Sequence, residues 1–392
     1  MTTLAIIFWV SAFIVFYTYL GYGIVLFIAV KLKELLHKPV KLELPTNLPE
    51  VTLLIAAYNE ELIIGQKMSN CRKLDYPSGK LKIVWVTDGS NDSTNELLKA
   101  YDDATVLFSP ERKGKSAAVT RAMDFVTTPI VVFTDANTIL NEGAICEMVK
   151  FFQDETVGCV AGEKRILNDA EEGSANSTEG IYWKYESKLK EWDYRLYSAV
   201  GAAGELFALR RELFTALPDD TLLDDFMLSM KIAMRGYRIA YCKDAYAIES
   251  ASANMKEEGK RKVRIAAGGL QSIARLAPLL NPFKYGTLSW QYTSHRVLRW
   301  SLTPVLLFLL FPLNLILVFF STHSIFYFIT FAPQLLFYIC SIIGSLAAKR
   351  GLKLSLVYIP YYFVFMNVNV FKGIGYLCKN RGKGTWEKAA RK

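Results

Sequence analysis

The sequence predicts an α/β protein built on a mostly parallel sheet and carried between membrane segments. Three observations lead there. Residues 50–265 have the composition of an ordinary soluble domain, whereas 4–30 and 300–348 contain no Asp, Glu, Lys or Arg. From residue 51 onward, short β-rich runs alternate with amphipathic stretches. Those runs lack the in–out alternation of a half-exposed strand, which is the pattern of a parallel sheet covered by helices on both faces.

Residues 1–30 read as an N-terminal transmembrane anchor, with its span near 5–29. A bilayer core of about 30 Å needs roughly 20 apolar residues in a helix. The run is longer than a signal-peptide core of about 7–15 residues and has neither a preceding basic residue nor a cleavage pattern. A basic cytosolic linker follows over 31–49, with Lys31, Lys33, Lys38 and Lys41. In the soluble domain, 50–255, strands are predicted at Val51–Ala57, Ile83–Thr87, Thr105–Phe108 and Ile130–Thr134. Helices alternate with them at Glu60–Arg72, Ser93–Tyr101, Gly114–Val126 and Glu142–Phe152. Next come a long helix over Ser174–Leu196, a Gly/Ala turn over 200–205 and the segment Leu206–Arg211. Asp224 and Asp225 open a helix that runs to Arg235 and stops at Gly236, and Arg238–Ile248 reads as the last strand.

The basic, aromatic stretch 256–299 suits helices lying at the membrane interface. Residues 300–378 form a C-terminal membrane region with spans at 300–320 and 325–347, separated by a polar break at 321–324. A third apolar run, Leu354–Phe371, has basic flanks on both sides. The positive-inside rule places both flanks in the cytosol, so a re-entrant or interfacial segment is expected, with neighbouring protein or water satisfying Asn367 and Asn369. A basic cytosolic tail, 379–392, ends the chain.

The net charge is +9. Because the basic residues cluster beside the apolar runs, they point to topology and anionic lipid rather than nucleic acid. The six cysteines show no paired spacing, which argues against a disulfide framework or a zinc site.

In a parallel sheet, ligands bind at the carboxyl ends of the strands. Three such ends carry polar groups here: Tyr58-Asn59-Glu60, Asp88-Gly89-Ser90 and Asp135-Ala136-Asn137. Each alone also fits an ordinary turn or cap. Asp135 with Asn137 two positions on can hold Mg²⁺ or Mn²⁺ against phosphate oxygens. Arg112-Lys113-Gly114-Lys115 adds cations at a helix N-terminus, which itself favours anions. Arg261 and Arg264 could close over a diphosphate, although a solvated or lipid-facing surface fits them as well. Asp225, directly after Asp224, is the candidate general base, since adjacent carboxylates shift one another's pKa. An N-cap with an acidic first turn fits the same pair.

Together, Pro49 to Glu61, Thr87-Asp88-Gly89-Ser90, Asp135-Ala136-Asn137, the Gly204 turn and Leu223-Asp224-Asp225 resemble the processive-type family 2 glycosyltransferases, the cellulose, hyaluronan and poly-N-acetylglucosamine synthases. The resemblance covers about residues 48–270. It implies a GT-A fold, an inverting mechanism, a UDP-sugar donor, a Mg²⁺ or Mn²⁺ cofactor and a multi-pass protein of the cell membrane with a cytosolic catalytic domain. By position, Tyr58, Glu60 and Asp88 would face the uridine. Lys115, Arg261 and Arg264 would lie near the nucleotide sugar, and Asp135 and Asn137 would match the DxD metal motif. Gly204 and Glu205 would border the acceptor, and Asp225 would be the base, with Asp224 beside it.

Two departures stand out. Asn137 replaces the second metal-binding carboxylate, and the Gln-x-x-Arg-Trp motif is read at Arg261–Ile265, where the tryptophan is missing. These leave three readings. The first is an enzyme of polysaccharide biosynthesis acting on a glycan or lipid-linked acceptor, with partner subunits for export. The second is a single-sugar transferase to a polyprenyl phosphate. The third is a catalytically silent membrane subunit.

Overall fold

The computed structural model describes residues 2–38, 42–166, 175–250, 254–350, 352 and 354–379. Lys41 and the predicted tail beyond residue 379 lie outside them. The first helix, α1 (Thr2–Leu36), contains a π-helical turn at Tyr17–Gly21. The soluble domain then runs β1 (Val51–Ala57), α2 (Ile64–Arg72), β2 (Leu81–Thr87), α3 (Thr94–Leu98), β3 (Ala104–Leu107), α4 (Lys115–Met123), β4 (Ile130–Asp135), β5 (Ile139–Leu140), α5 (Ala144–Val149) and β6 (Val157–Ile166). It continues through α6 (Ala175–Leu196), β7 (Leu206–Arg210), α7 (Asp224–Met234) and β8 (Arg238–Glu249).

All eight strands form one sheet in the order β3-β2-β1-β4-β7-β6-β8-β5. The first four are parallel, as predicted, whereas β7 lies antiparallel to both β4 and β6, and β6 is parallel to β8. The sheet is therefore mixed on its second half. The sequence reading assigned no strand at β6, although six of its first six positions are buried.

Burial on both faces explains the missing alternation. In β1, Leu54 packs with Val131, Phe133, Val119 of α4 and Met227 and Leu228 of α7. Its neighbours Leu53 and Ile55 join Val132, Trp85, Met68 of α2 and Met148 of α5 on the opposite face. Helix α2 starts at Ile64 rather than Glu60 because its approach is bound sideways. The backbone amides of Asn59, Glu60 and Glu61 donate to Ser90 Oγ (3.1 Å), Thr94 Oγ1 (2.8 Å) and Asp92 Oδ2 (3.2 Å). Asn59 adopts a left-handed φ of 52° to make that turn.

After the sheet comes α8 (Met255–Arg275), N-capped by Asn254, whose side chain accepts from the amides of Lys256 and Glu257. An irregular helical stretch, 277–300, leads into α9 (Leu302–Phe320), α10 (Ser324–Lys349) and α11 (Ser355–Lys379). Among the described residues, three helices are long and apolar enough to cross a membrane: α1, α9 and α10. The re-entrant expectation for 354–371 meets a different shape, one continuous helix packed on α10 and α8. At these contacts a Cβ on Gly344 would lie 2.3 Å from the Val357 carbonyl, and one on Gly373 2.8 Å from the Ala267 amide. Asn367 of α11 accepts from Tyr19 Oη of α1 (2.6 Å). Asn369 is buried, with neither amide atom paired among the described residues.

Candidate active site

The three predicted strand ends converge on one edge of the sheet. Asp88, after β2, spends both oxygens on backbone: Oδ1 accepts from the Lys113 amide (3.0 Å) and Oδ2 from the Gly114 amide (2.7 Å). It thereby fastens the loop carrying Arg112 and Lys115. Gly89 allows the approach, since its φ is 68° and a Cβ would sit 2.8 Å from the Arg112 amide. The Arg112 guanidinium then lies 3.8 Å from the centre of the Tyr58 ring. Tyr58 and Asp88 are thus joined through the Arg112–Gly114 loop, with Glu60 two residues beyond Tyr58.

Lys115 begins α4 and reaches across to β4, donating from Nζ to Asp135 Oδ1 at 2.6 Å. Burial alone would lower its pKa, but Asp135, Asp224 and Asp225 raise it above the usual lysine range. Asp224 and Lys115 line a recess floored by Leu54, Val119, Phe133 and Phe207. Asp225 is pushed up to about 7, chiefly by burial and then by Asp224, against the opposing pull of Lys115. Its Oδ1 accepts from the Phe226 amide at 2.8 Å. Gly204 closes the group, since a Cβ there would stand 3.2 Å from Asp225 Oδ2 and 3.4 Å from Lys115 Nζ. Any larger residue would push into the space between the carboxylate and the ammonium.

The donor set fits a divalent cation held chiefly by a substrate's phosphates. Among the described residues, no group of three His, Cys, Asp or Glu side chains gathers to hold a metal. Asp135 with the Asn137 amide oxygen supplies one charge and three oxygens, and magnesium in particular is often bound by one or two carboxylates plus substrate phosphates. Lys115 meanwhile occupies one Asp135 oxygen.

Behind that turn lies a residue the sequence reading passed over. Lys67 of α2 is fully buried and donates to the Thr138 carbonyl (2.7 Å) and Thr134 Oγ1 (3.2 Å), flanking Asp135 and Asn137 on both sides. Burial lowers its pKa to about 8. A lysine within an apolar helical face, three residues after Ile64, was the available signal.

Glu205 forms an ion pair with buried Lys164, which also pairs with Glu249. Burial would raise the Glu205 pKa, but Lys164 and Arg261 hold it well below the usual carboxylate range. Arg261 is therefore at the cleft, beside Glu205, and it also pairs with Glu258 at 3.6 Å. Arg264, one turn on, lies close enough to Tyr376 of α11 to lower that phenol's pKa, against the larger upward push of its burial. The structure brings Arg261 beside Glu205 and Arg264 beside Tyr376 of α11.

A tryptophan does approach this group from another part of the chain. Trp300, in Arg296-Val297-Leu298-Arg299-Trp300, meets Phe226 edge to face at 5.1 Å. Phe226 directly follows Asp225, so the Arg-Trp pair reaches the site from the end of the interfacial stretch. The sequence reading gave this stretch to the membrane interface and so did not bring Trp300 to the site.

Residues 49–268 match the family described as "Glycosyltransferase like family 2". The chain belongs to that family. Its GT-A fold is shared by a mannosyltransferase from Pyrobaculum calidifontis, solved in complex with GDP-Man and Mn²⁺. That structure aligns with a TM-score of 0.72 over 96% of this chain and 99% of the other, at 22% identity. Among curated glycosyltransferases, a beta-monoglucosyldiacylglycerol synthase from Trichormus variabilis is 30% identical over 206 residues, 48% of this chain and 42% of that protein. A poly-beta-1,6-N-acetyl-D-glucosamine synthase from Staphylococcus aureus is 30% identical over 240 residues, 58% of this chain and 57% of that protein. The family 2 chain spans about half the length of the curated relatives it matches.

Proposed function

We propose that this protein is an inverting glycosyltransferase that moves one sugar from a nucleoside diphosphate donor to an acceptor hydroxyl, at the cytosolic face of a membrane that its flanking helices cross. The observation that carries the reading is Asp225, a carboxyl whose pKa stands at about 7 beside the Lys115–Asp135 pair. A general base works best with a pKa near the working pH.

In this reading, Asp225 accepts the proton of the acceptor hydroxyl as that oxygen bonds to the anomeric carbon. The bond to the diphosphate breaks, and the leaving oxygen takes its electron pair. A divalent cation, when bound at Asp135 and Asn137, supplies charge neutralisation to that leaving group. Lys115 turns its ammonium from Asp135 toward the phosphates, and Arg112 stacked on Tyr58 borders the nucleoside. Gly204 leaves room for the acceptor, and Trp300 with Phe226 keeps water from the base. The catalytic unit is taken as 50–255, with 256–299 at the interface.

The resemblance favours a UDP-sugar, while the GDP-Man bound by the structural neighbour makes guanosine the alternative donor base to test. Polysaccharide synthesis on a glycan or lipid-linked acceptor draws support from the poly-N-acetylglucosamine synthase relative. Transfer of a single sugar to a lipid, a polyprenyl phosphate included, is the second reading. It is favoured by a membrane part with only three helices of spanning length and apolarity among the described residues.

The test is nucleotide release by the purified full-length protein in detergent, across UDP- and GDP-sugars with Mg²⁺ or Mn²⁺ and a membrane-lipid extract. Release with one donor, lost in Asp225→Asn, is the expected result. Equal release by wild type and Asp225→Asn would overturn the assignment of the base.

A further inference from the structure

The most elaborate polar structure in the molecule lies outside the donor site. Helix α6 presents two buried carboxylates toward the end of the interfacial stretch. Glu186 is 2% exposed and Asp193 is fully buried. Glu186 Oε1 meets Arg296 at 2.6 Å and His295 Nε2 at 3.2 Å, and its Oε2 accepts from Arg299 at 2.9 Å. Two turns along, Asp193 Oδ2 meets His295 Nδ1 at 2.6 Å, while its Oδ1 accepts from Tyr22 Oη of α1. The Asp193 carbonyl accepts from Gln291 Nε2 at 2.8 Å. Burial would raise the Glu186 pKa, but Arg296, His295 and Arg299 hold it well below the usual carboxylate range. It is a charged anchor.

What the anchor holds is the aromatic cover of Asp225. Arg296 donates to the Val200 carbonyl (3.4 Å), next to Gly201, and its guanidinium lies 5.5 Å from the centre of the Trp300 ring. Arg299 is the residue before Trp300. Trp300 and Tyr292 both pack on Phe226, with ring centres 5.1 and 6.5 Å away. Phe226 has no slack beneath it, since a Cβ on Gly201 would come within 2.2 Å of its ring. Nor has Trp300, whose ring would meet a Cβ on Gly269 at 2.6 Å. The Phe226 amide donates to Asp225, so any drift of Phe226 moves the carboxylate.

We propose that Glu186 is a positioning residue for the reaction: through Arg296 and Arg299 it fixes Trp300 on Phe226 and so sets the place and the dryness of Asp225. The inference rests on Asp225 being the base. A clamp that served only to hold the fold would have no reason to converge on the residues flanking that carboxylate. Tyr22 brings α1 into the same network, which makes the membrane anchor part of the catalytic geometry.

The test uses the full-length protein in lipid nanodiscs and the isosteric change Glu186→Gln, which keeps the volume and loses the charge. The expected result is a kcat lower by roughly tenfold or more with donor KM within about twofold, since the interaction lost acts on the transition state rather than on donor binding. The acid limb of the pH–rate profile should also move to lower pH, because water admitted past Trp300 relieves the burial that raises Asp225. Asp224, Lys115 and Glu205, the other charged groups facing Asp225, are untouched by the change.

Unchanged kcat and an unchanged acid limb, with only a lower melting temperature, would overturn the proposal. If Glu186→Gln fails to fold, Arg299→Lys makes the same measurement, because it keeps the charge and loses the guanidinium fork. Its expected and overturning results are the same. The Asp225→Asn control separates the two layers: if it transfers at the wild-type rate, the reading of the base fails. If it is inactive while Glu186→Gln and Arg299→Lys match wild type, the positioning role alone fails.

Discussion

Two charged clusters in this molecule are built on opposite principles. At the donor edge, Asp135, Asp224 and Asp225 share the single ammonium of Lys115, whose side chain is 39% exposed. On α6, Glu186 and Asp193 are buried against Arg296, Arg299 and His295, with Tyr22 and Gln291 adding hydrogen bonds. The first cluster sets three carboxylates against one ammonium, whereas in the second each buried carboxylate is met by basic groups. Excess negative charge in a cleft invites a cation and a proton, whereas a charge-balanced buried network fixes geometry.

The two clusters should therefore fail differently. The largest effect is expected in the open one: Asp225→Asn should cut transfer by about 10³-fold, with donor affinity close to wild type by isothermal titration. Asp135→Ala should weaken cation-dependent donor binding roughly tenfold to a hundredfold, and the loss should shrink when titrations are repeated without Mg²⁺ or Mn²⁺. In the closed cluster, Glu186→Ala leaves buried Arg299 and half-buried Arg296 without their carboxylate. It should cost about 3–5 kcal/mol of stability, seen in denaturant unfolding of the detergent-solubilised protein.

Two smaller effects sharpen the contrast through pH. Transfer should fall as pH drops through about 7, where Asp225 takes up its proton. Lys115→Met should move that limb upward, because the ammonium is the group that lowers the Asp225 pKa. The stability sign runs the other way. The folded pKa of Asp225 lies above its unfolded value, so its contribution is intact in acid and is lost as pH rises through about 7. Asp225→Asn should thus be more stable than wild type at pH 8, by up to about 4 kcal/mol, with the difference gone by about pH 4. A constant difference across that range would mean that the carboxylate is not desolvated.

Much of the donor half was legible in the chain itself. The β1–α2–β2–α3–β3–α4–β4 order was predicted, and β1 was placed with the bounds observed. Strand identity followed from runs such as Val51–Ala57, where burial on both faces leaves a continuous apolar signature. Asp135, Lys115 and Asp225 were named from spacing, and the fold gathers them. The second half was harder to read. β6 was missed because its pairing with β7 and β8 joins segments far apart in sequence, and strand propensity depends on such neighbours. Arg264, which the sequence groups with the diphosphate, lies beside Tyr376 in the fold. Trp300 was overlooked because the motif was sought 35 residues too early, at Ile265.

The sequence by itself determined the α/β class, the spanning helices and the order of the polar strand ends, because hydrophobic periodicity and turn chemistry are local properties of the chain. Only the tertiary structure decided that Lys115 bridges Asp135 to the Asp224–Asp225 pair, that Lys67 lies beneath the Asp135–Asn137 turn, and that Glu186 meets Arg296 and Arg299. Each of these depends on distance and burial between segments remote in sequence, and the electrostatic energy of a charge is set by what surrounds it in space rather than by its neighbours along the chain.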